Sequence, residues 1–570
     1  MLLQRLKEYA DERMDMPPML YVERPIRYLI ELDSAGRLLS PTPIDTADPS
    51  APATKRGQRI LAPQVQRAVG IKPLLLADNG EYTLGLAKSE ASRPDRVIAV
   101  HQAYLALVDR CADATNDPAV RAVQTFLHGD PLAQLRRPDD FDPSADITFA
   151  VDGVKVIDLP AVRAFWASLN DPGANNATVM TCLVCGQERP VLDRMQAKLK
   201  GVPGGQTAGV ALISANADAF ESYGLEASLI APVCADCAER FTKAANEFLG
   251  NRAHHLTIGG AKFIFWTRED VGFNLLVLDR PTPEDVRALL DSVRSGRPTD
   301  VDSTAFYATA LSGSGGRAVV RDWVDTTVGQ VKGQLANWFQ RQAIVDLYGD
   351  TPQPLGLYTL AAATVRDASK ELSPPTVRAL WRAALTDTPV PSYILSRAVQ
   401  RCRAEGSVTR PRAALIKLVL SSHHPDLAED SMTQLNLDHP SAAYQCGRLL
   451  AALEQIQRLA IPGLNATLVD RFYGTASTAP ASVFGNLLGG AQAHLSKLER
   501  DNKGAWVRLQ STLEEILGHI ETFPRTLTLE EQGLFALGYY HQRAADNAAR
   551  AAGAQRKRAA QDDSNNGSDE

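Results

Sequence analysis

The residues of this chain whose spacing most clearly implies chemistry are four cysteines, Cys182 and Cys185 in TCLVCGQ and Cys234 and Cys237 in PVCADCAERF. A Cys-x-x-Cys loop presents two thiolates to one cation. Two such loops complete a tetrahedral site with no open position, so the pattern points to structural zinc. The same residues also admit a redox dithiol or unrelated buried cysteines. Gly186 directly follows Cys185 and suits a tight knuckle turn, because glycine adopts positive φ without strain. Residues 186–233 separate the pairs, more than a compact zinc ribbon holds, so an element must be inserted between them. Cys111, Cys402 and Cys446 stand alone and read as core residues.

Other motifs carry less. The glycine-rich piece at residues 311–317 lacks the Lys-Ser/Thr ending of a P-loop, and its apolar run follows the glycines. It reads as a turn into a strand, with phosphate cradling or contact with a nucleic-acid backbone as alternatives. The pairs His254-His255 and His423-His424 are not followed by Asp, and neither HExxH nor GxSxG occurs, so no catalytic set is visible. Trp323, Trp338 and Phe339 are spaced as a strand followed by a helix face and read as core. Two basic runs stand out against a net charge of −6, which excludes a uniformly basic nucleic-acid coat. Lys55, Arg56, Arg59, Arg67 and Lys72 occupy residues 54–72 with no acidic residue among them. Arg397, Arg401, Arg403, Arg410, Arg412 and Lys417 are opposed only by Glu405. Each run reads as a solvated face or as a local groove for nucleic acid.

The elements that must position these groups follow from periodicity. Residues 26–33 alternate Ile26, Tyr28, Ile30 and Leu32 as a strand does, then turn through Gly36. Residues 40–54 lack periodicity and predict a long surface loop, and residues 94–127 have helical spacing. The polar stretch 130–145 is a candidate domain boundary. The middle mixes short apolar runs at 210–214, 262–266, 274–278 and 317–323 with helical segments, an α+β pattern. From about residue 373 the spacing is helical throughout, with Trp506, Leu509, Leu513, Ile516, Leu517 and Ile520 on one face. Thr528 and Glu531 form a capping-box signature. The reading is a multidomain fold: α+β N-terminal and middle regions with a zinc-knuckle element, then an all-α C-terminal helical bundle. Its parts are 1–145, 146–372 and 373–555, with a disordered tail at 556–570. Hydrophobic residues at 45% and charged residues at 22% are those of a globular chain, and no run approaches the roughly 18 apolar residues of a membrane helix. Glu8, Asp11 and Glu12 interrupt the start of the chain where a secretory peptide is apolar, and seven cysteines are too few for a disulfide scaffold. A cytoplasmic setting is expected.

Several segments in order along the chain resemble a known family: RAVGIKPLLLADNGEYTLG at 67–85, LKGVPGGQTAGVALISANADAFESYG at 199–224, ALSGSGGRAVVRDW at 310–323, IPGLNATLVDRFYGTASTAPASVFGNLL at 461–488 and QGLFALGYYHQR at 532–543. They look like the large subunit of the type I-C CRISPR surveillance complex, or Cascade. The chain departs from the family pattern at Ala215, where the family has Phe, and at Cys234, where it has Ser. The resemblance implies a non-enzymatic subunit that sits at one end of a filament of CRISPR RNA-bound backbone and processing subunits. It would read the protospacer-adjacent motif on target double-stranded DNA and help open the duplex. Base pairing to the guide reads the rest, a division of labour analogous to other RNA-guided effectors. A separately recruited helicase-nuclease would cut. Lys55, Arg56, Arg59, Arg67, Lys72 and Asn79 are the expected DNA-binding residues, since they join the basic loop to the family-like segment at 67–85. Family relatives also imply a small helical subunit made from an internal start, for which Met432 is the candidate here. A protein scaffold without DNA contact and a metal-dependent nuclease are the alternatives.

Overall fold

The computed structural model of the protein describes residues 2–16, 18–48, 56–65, 70–89, 91–170, 178–195, 197–215, 217–294, 300–350, 353–424 and 432–566. Contacts divide it into two units. The first comprises Met1–Lys200, Gln206–Glu247 and Gly315–Ala318, the second Gly201–Gly205, Phe248–Ser314 and Val319–Glu570.

In the first unit the strand Tyr28–Leu32 buries Tyr28, Ile30 and Leu32 on one face, as the alternation predicts. Its short antiparallel partner is Ile44–Asp45. On its other side it pairs in parallel with Asp146–Val151, Tyr28 opposite Ile147 through Leu32 opposite Val151. The strand Ala77–Asn79 then pairs antiparallel with Asp146–Val151. Asp146–Val151 is buried from Ile147 onward, as befits a central strand covered on both faces. The helical stretch expected at 94–127 is two helices, Pro94–Thr115 and Pro118–His128, each with proline in its first turn. They bury Val100, Tyr104, Val108 and Phe126 in one core with Phe149. Parallel pairing needs a long crossover. The polar stretch 130–145, expected to separate domains, therefore lies within this unit and leads into its central strand.

In the second unit a four-stranded sheet runs in the order His255–Ile258, Ala261–Thr267, Ala305–Ser314, Arg317–Thr327. The glycine-rich piece is the turn between its last two strands, with Gly315 at φ +59°. Two expected apolar runs are not strands. Residues 210–214 make isolated bridges only, and 274–278 tightens into the short 3-10 helix Leu276–Leu278. Trp338 and Phe339 are buried, whereas Trp323 is half-buried and stacks on Tyr307 with centroids 5.9 Å apart. Phe263 of the sheet stacks on Trp381 of the helix Pro374–Thr386 at 4.8 Å. One hydrophobic core runs from Leu256 to Tyr540, so the helices after residue 373 share the core of the sheet.

The C-terminal region is helical, as expected. Its central helix, Ala442–Ala460, is buried almost all round. It crosses the helix Leu529–Asn566 backbone to backbone: a Cβ on Gly447 would lie 2.0 Å from the Phe535 carbonyl oxygen, and one on Gly538 2.0 Å from that of Tyr444. The capping box forms, with the Thr528 N–H donating to Glu531 Oε2 at 2.7 Å and the Glu531 N–H to Thr528 Oγ1 at 3.3 Å. The helix it starts continues to Asn566, through most of the tail expected to be disordered. Alanine, arginine and glutamine dominate residues 548–560, and their helix propensity carries the helix past the last apolar contacts. Residues 567–570 lie outside the described residues. No helix among the described residues is long and apolar enough to cross a membrane.

Gly447→Ala is expected to lower unfolding free energy by about 3 kcal/mol, the upper end of overpacking costs, because the obstructing atoms are backbone. Thr528→Ala, which removes only the cap, should cost about 1 kcal/mol. Urea denaturation of the two variants checks the order.

Candidate metal centre and basic surface

The first cysteine pair sits in a knuckle between the antiparallel strands Val179–Thr181 and Glu188–Pro190. The Gly186 N–H donates to the Cys182 carbonyl at 2.8 Å, and the Cys182 N–H to the Gln187 carbonyl at 2.9 Å. Gly186 takes φ +72°, as the knuckle requires. The second pair stands at the start of the helix Ala235–Gly250, Cys234 just before it and Cys237 in its first turn. Backbone bonds join the two loops: the Leu183 N–H donates to the Pro232 carbonyl and the Leu192 N–H to the Val233 carbonyl, each at 3.0 Å. The Cys234 N–H donates to Cys182 Sγ at 3.4 Å.

All four sulfur atoms lie within 4.8 Å of one another. Cys182, Cys234 and Cys237 are buried and Cys185 is half-buried. Sulfur atoms about 2.3 Å from a central zinc ion stand about 3.8 Å apart, so the set can close on one ion with small movements. Burial opposes ionisation of Cys182, but the N–H groups of Cys185, Cys234 and Val184 directed at it prevail and bring its thiol down to about 7. Burial pushes Cys234 and Cys237 up; the neighbouring sulfurs raise Cys237 further, whereas for Cys234 the N–H and thiol of Cys237 oppose the rise and Cys182 adds to it. Four crowded thiols cannot all ionise unaided, and a divalent ion removes that repulsion. The donor set is compatible with zinc.

The basic loop is only partly described: Lys55 and Arg67 lie outside the described residues. Arg56, Arg59 and Lys72 are exposed. Gly57 roots the loop, at φ +98° and so close to the strand before it that a Cβ would lie 2.2 Å from the Ile26 carbonyl oxygen. Arg59 then lies on the strand Gln58–Pro63, opposite Pro25 of Tyr21–Ile26. Its Nη2 donates to the Glu23 carbonyl at 2.9 Å. Asn79 is different. It is 8% exposed, its Oδ1 accepts from the Glu81 N–H at 3.2 Å, and its Nδ2 donates to Asp78 Oδ1 at 3.2 Å. Its carboxamide is thus engaged in capping the short helix Gly80–Thr83.

The strand Tyr21–Ile26 and the residue after it also bring up Arg24 and Arg27, which no sequence motif singles out. Arg24 Nη1 lies 3.1 Å from Asp146 Oδ2, and Arg27 Nη2 lies 3.1 Å from Asp45 and 3.2 Å from Asp140. These partners come from distant parts of the chain, so no local spacing marks them. The second basic run is largely turned inward. Lys417 is 1% exposed, and its Nζ donates to the Ala343 carbonyl at 2.7 Å and to Thr433 Oγ1 at 3.0 Å. Arg401 and Arg412 both pair with Glu405 and hold its carboxyl below its usual range. Arg397 reaches Thr376, and Arg410 the carbonyls of Ile344 and Gln353. Only Arg403 of this run is fully at the surface.

These features define an α+β protein with a helical C-terminal region, a four-cysteine centre and a basic loop rooted on a small sheet. A family model described as CRISPR-associated protein (Cas_Csd1) matches residues 2–546, nearly the whole chain. The chain belongs to that family. No curated protein matches it.

Elemental analysis of metal-replete protein is expected to give about one metal ion per chain, and Cys237→Ser to lose most of it. Since a structural ion contributes folding energy, the variant and chelator-treated wild type should both melt earlier. A wild type without bound metal, melting unchanged in chelator, is the contrary result.

Proposed function

We propose that the protein is the large, non-catalytic subunit of a type I-C CRISPR surveillance complex. In this reading it recognises the protospacer-adjacent motif on double-stranded DNA, promotes opening of the duplex and supports recruitment of a separate helicase-nuclease. The observation that carries the reading is the Cas_Csd1 match over residues 2–546. The exposed Arg56 beside Gly57, Arg59 on the strand that follows and Lys72 further along the chain are cationic groups of the kind that bind DNA phosphates. Lys55, Arg67 and Asn79 complete the proposed set of DNA-binding residues. Zinc fills the four-cysteine centre and stabilises the fold without taking part in DNA reading. The working partners are guide RNA-bound backbone and processing subunits in the cytoplasm.

A small helical partner translated from Met432 is part of the same proposal. The segment from there contains the central helix Ala442–Ala460 and the helices Leu468–Ala476, Phe484–Asp501, Lys503–Gly518 and Leu529–Asn566 that surround it. Such a product could bury a core of its own.

Neutralising Lys55, Arg56, Arg59, Arg67 and Lys72 in the assembled complex is expected to weaken DNA binding. Each lost phosphate contact should flatten the salt dependence by about one unit of slope, and a lost base contact should relax preference at one motif position. Filter binding over a salt series reads both. Unchanged affinity and preference would favour a scaffold without DNA contact, and cleavage by the purified chain would favour a nuclease. For the small product, a C-terminal tag should reveal a short band. Both Met432→Leu through a non-start codon and synonymous recoding upstream of codon 432 should remove it.

A further inference from the structure

Residues 217–227 form a surface loop in the first unit whose conformation is costly and whose most prominent side chain gains nothing from folding. After the short turn Asp218–Phe220, the chain reverses at Ser222–Leu225, where the Leu225 N–H donates to the Ser222 carbonyl at 3.0 Å. Both central residues are left-handed, Tyr223 at φ +55° and Gly224 at φ +69°, the pattern of a type I′ turn. Glycine is at home there and asparagine or aspartate tolerate it. A bulky aromatic residue is an outlier. Tyr223 is nevertheless 98% exposed.

The loop is stiff. Glu221 Oε1 accepts from the Ala227 N–H at 3.1 Å, closing the turn from outside. The Ala215 N–H donates to the Ala227 carbonyl at 3.3 Å, and the Ser228 N–H to the Asp193 carbonyl at 2.9 Å, fixing its base. Phe220, also exposed, lies under the guanidinium of Arg317 at 4.1 Å. A tyrosine held out at a strained backbone position, with only two side-chain torsions to order, meets the requirements of an interface anchor, which delivers large apolar area at little entropic cost. The charges around it select the partner's class. Asp218 and Glu226 are exposed and Glu221 is half-buried, against Arg317 over Phe220, so the loop's charge is acidic on balance and disfavours phosphates.

We infer that Tyr223 is a docking knob for another protein, one that offers an apolar slot with a basic rim. Proteins that hold RNA carry such basic surface. Resting on the reading that this chain works within an RNA-guided complex, the inference places the slot on a guide-bound protein subunit.

The test uses full-length protein and the preassembled filament of guide RNA with its backbone and processing proteins. Tyr223→Asn keeps a residue suited to the left-handed position and is expected to hold or raise the melting temperature. It should weaken association with the filament about thirtyfold, the scale of an interface hot spot. Tyr223→Phe should bind nearly as wild type does. Asp218→Lys with Glu226→Lys should weaken binding at low salt and less at high salt. Association of Tyr223→Asn equal to wild type overturns the docking knob while leaving the complex reading intact. Normal association with lost DNA affinity also overturns it, since the ring would then meet nucleic acid. Failure of wild type itself to join the filament overturns the complex reading, and the knob with it.

Discussion

Four sulfur atoms gathered within 4.8 Å are the constraint on which the middle of the first unit depends. Among the described residues between the two cysteine pairs there is little regular structure: the strand Glu188–Pro190, two short 3-10 helices and isolated bridges. The buried apolar residues of this segment, among them Val191, Leu192, Leu199, Val210 and Ile213, belong to neither of the two large hydrophobic clusters, and ordering so long an irregular segment is entropically costly. A metal ion tied to both ends would shorten the loop in the unfolded chain and supply binding energy to the fold. The helix that begins at the second pair carries the restraint outward. Its Glu239 accepts from the Leu20 N–H at 3.1 Å, and its Arg240 Nη1 donates to Asp11 of the helix Leu2–Arg13 at 2.6 Å.

The second unit is held by a different device. The closest approach in its bundle is between peptide groups at Gly447 and Gly538, which leaves no room for side chains along that line. Polar residues next to it must therefore find partners inside. Arg448 is fully buried and forms a bidentate pair with Glu515, at 2.9 and 2.6 Å, while its Nε donates to Gln542 at 3.1 Å. Glu454 accepts from the Tyr539 hydroxyl at 2.6 Å and from Thr467 Oγ1 at 3.3 Å. A buried charge is costly unless fully met, so these bonds penalise any other register of the helices more than they add stability.

The two basic runs show why charge along a sequence is ambiguous. Both are arginine-rich and nearly free of acidic residues. In the first, the cations described stand at a loop and on a two-stranded sheet, beside water. In the second they lie on helices whose other neighbours supply carbonyls and Glu405. There Lys417 binds the carbonyls at the end of the helix Val328–Gln342, where the helix dipole favours a cation.

The sequence by itself determined what is local or periodic. Alternation at Tyr28, Ile30 and Leu32, the Thr528 cap, the helical stripes after residue 373 and the Gly186 knuckle each involve neighbours a few residues apart, so their physics is complete within a short window. The cysteine set was legible because a metal site needs specific ligands at specific spacing. Tertiary structure alone decided the parallel pairing of Tyr28–Leu32 with Asp146–Val151, which placed the expected boundary at 145 inside one unit, and the single core that joins sheet and helices in the other. It also separated an exposed Arg59 from a buried Lys417, and set the Asn79 carboxamide to cap a helix. The reason is common to all of these: burial and pairing are properties of residues distant in the chain, and no window of sequence contains both partners.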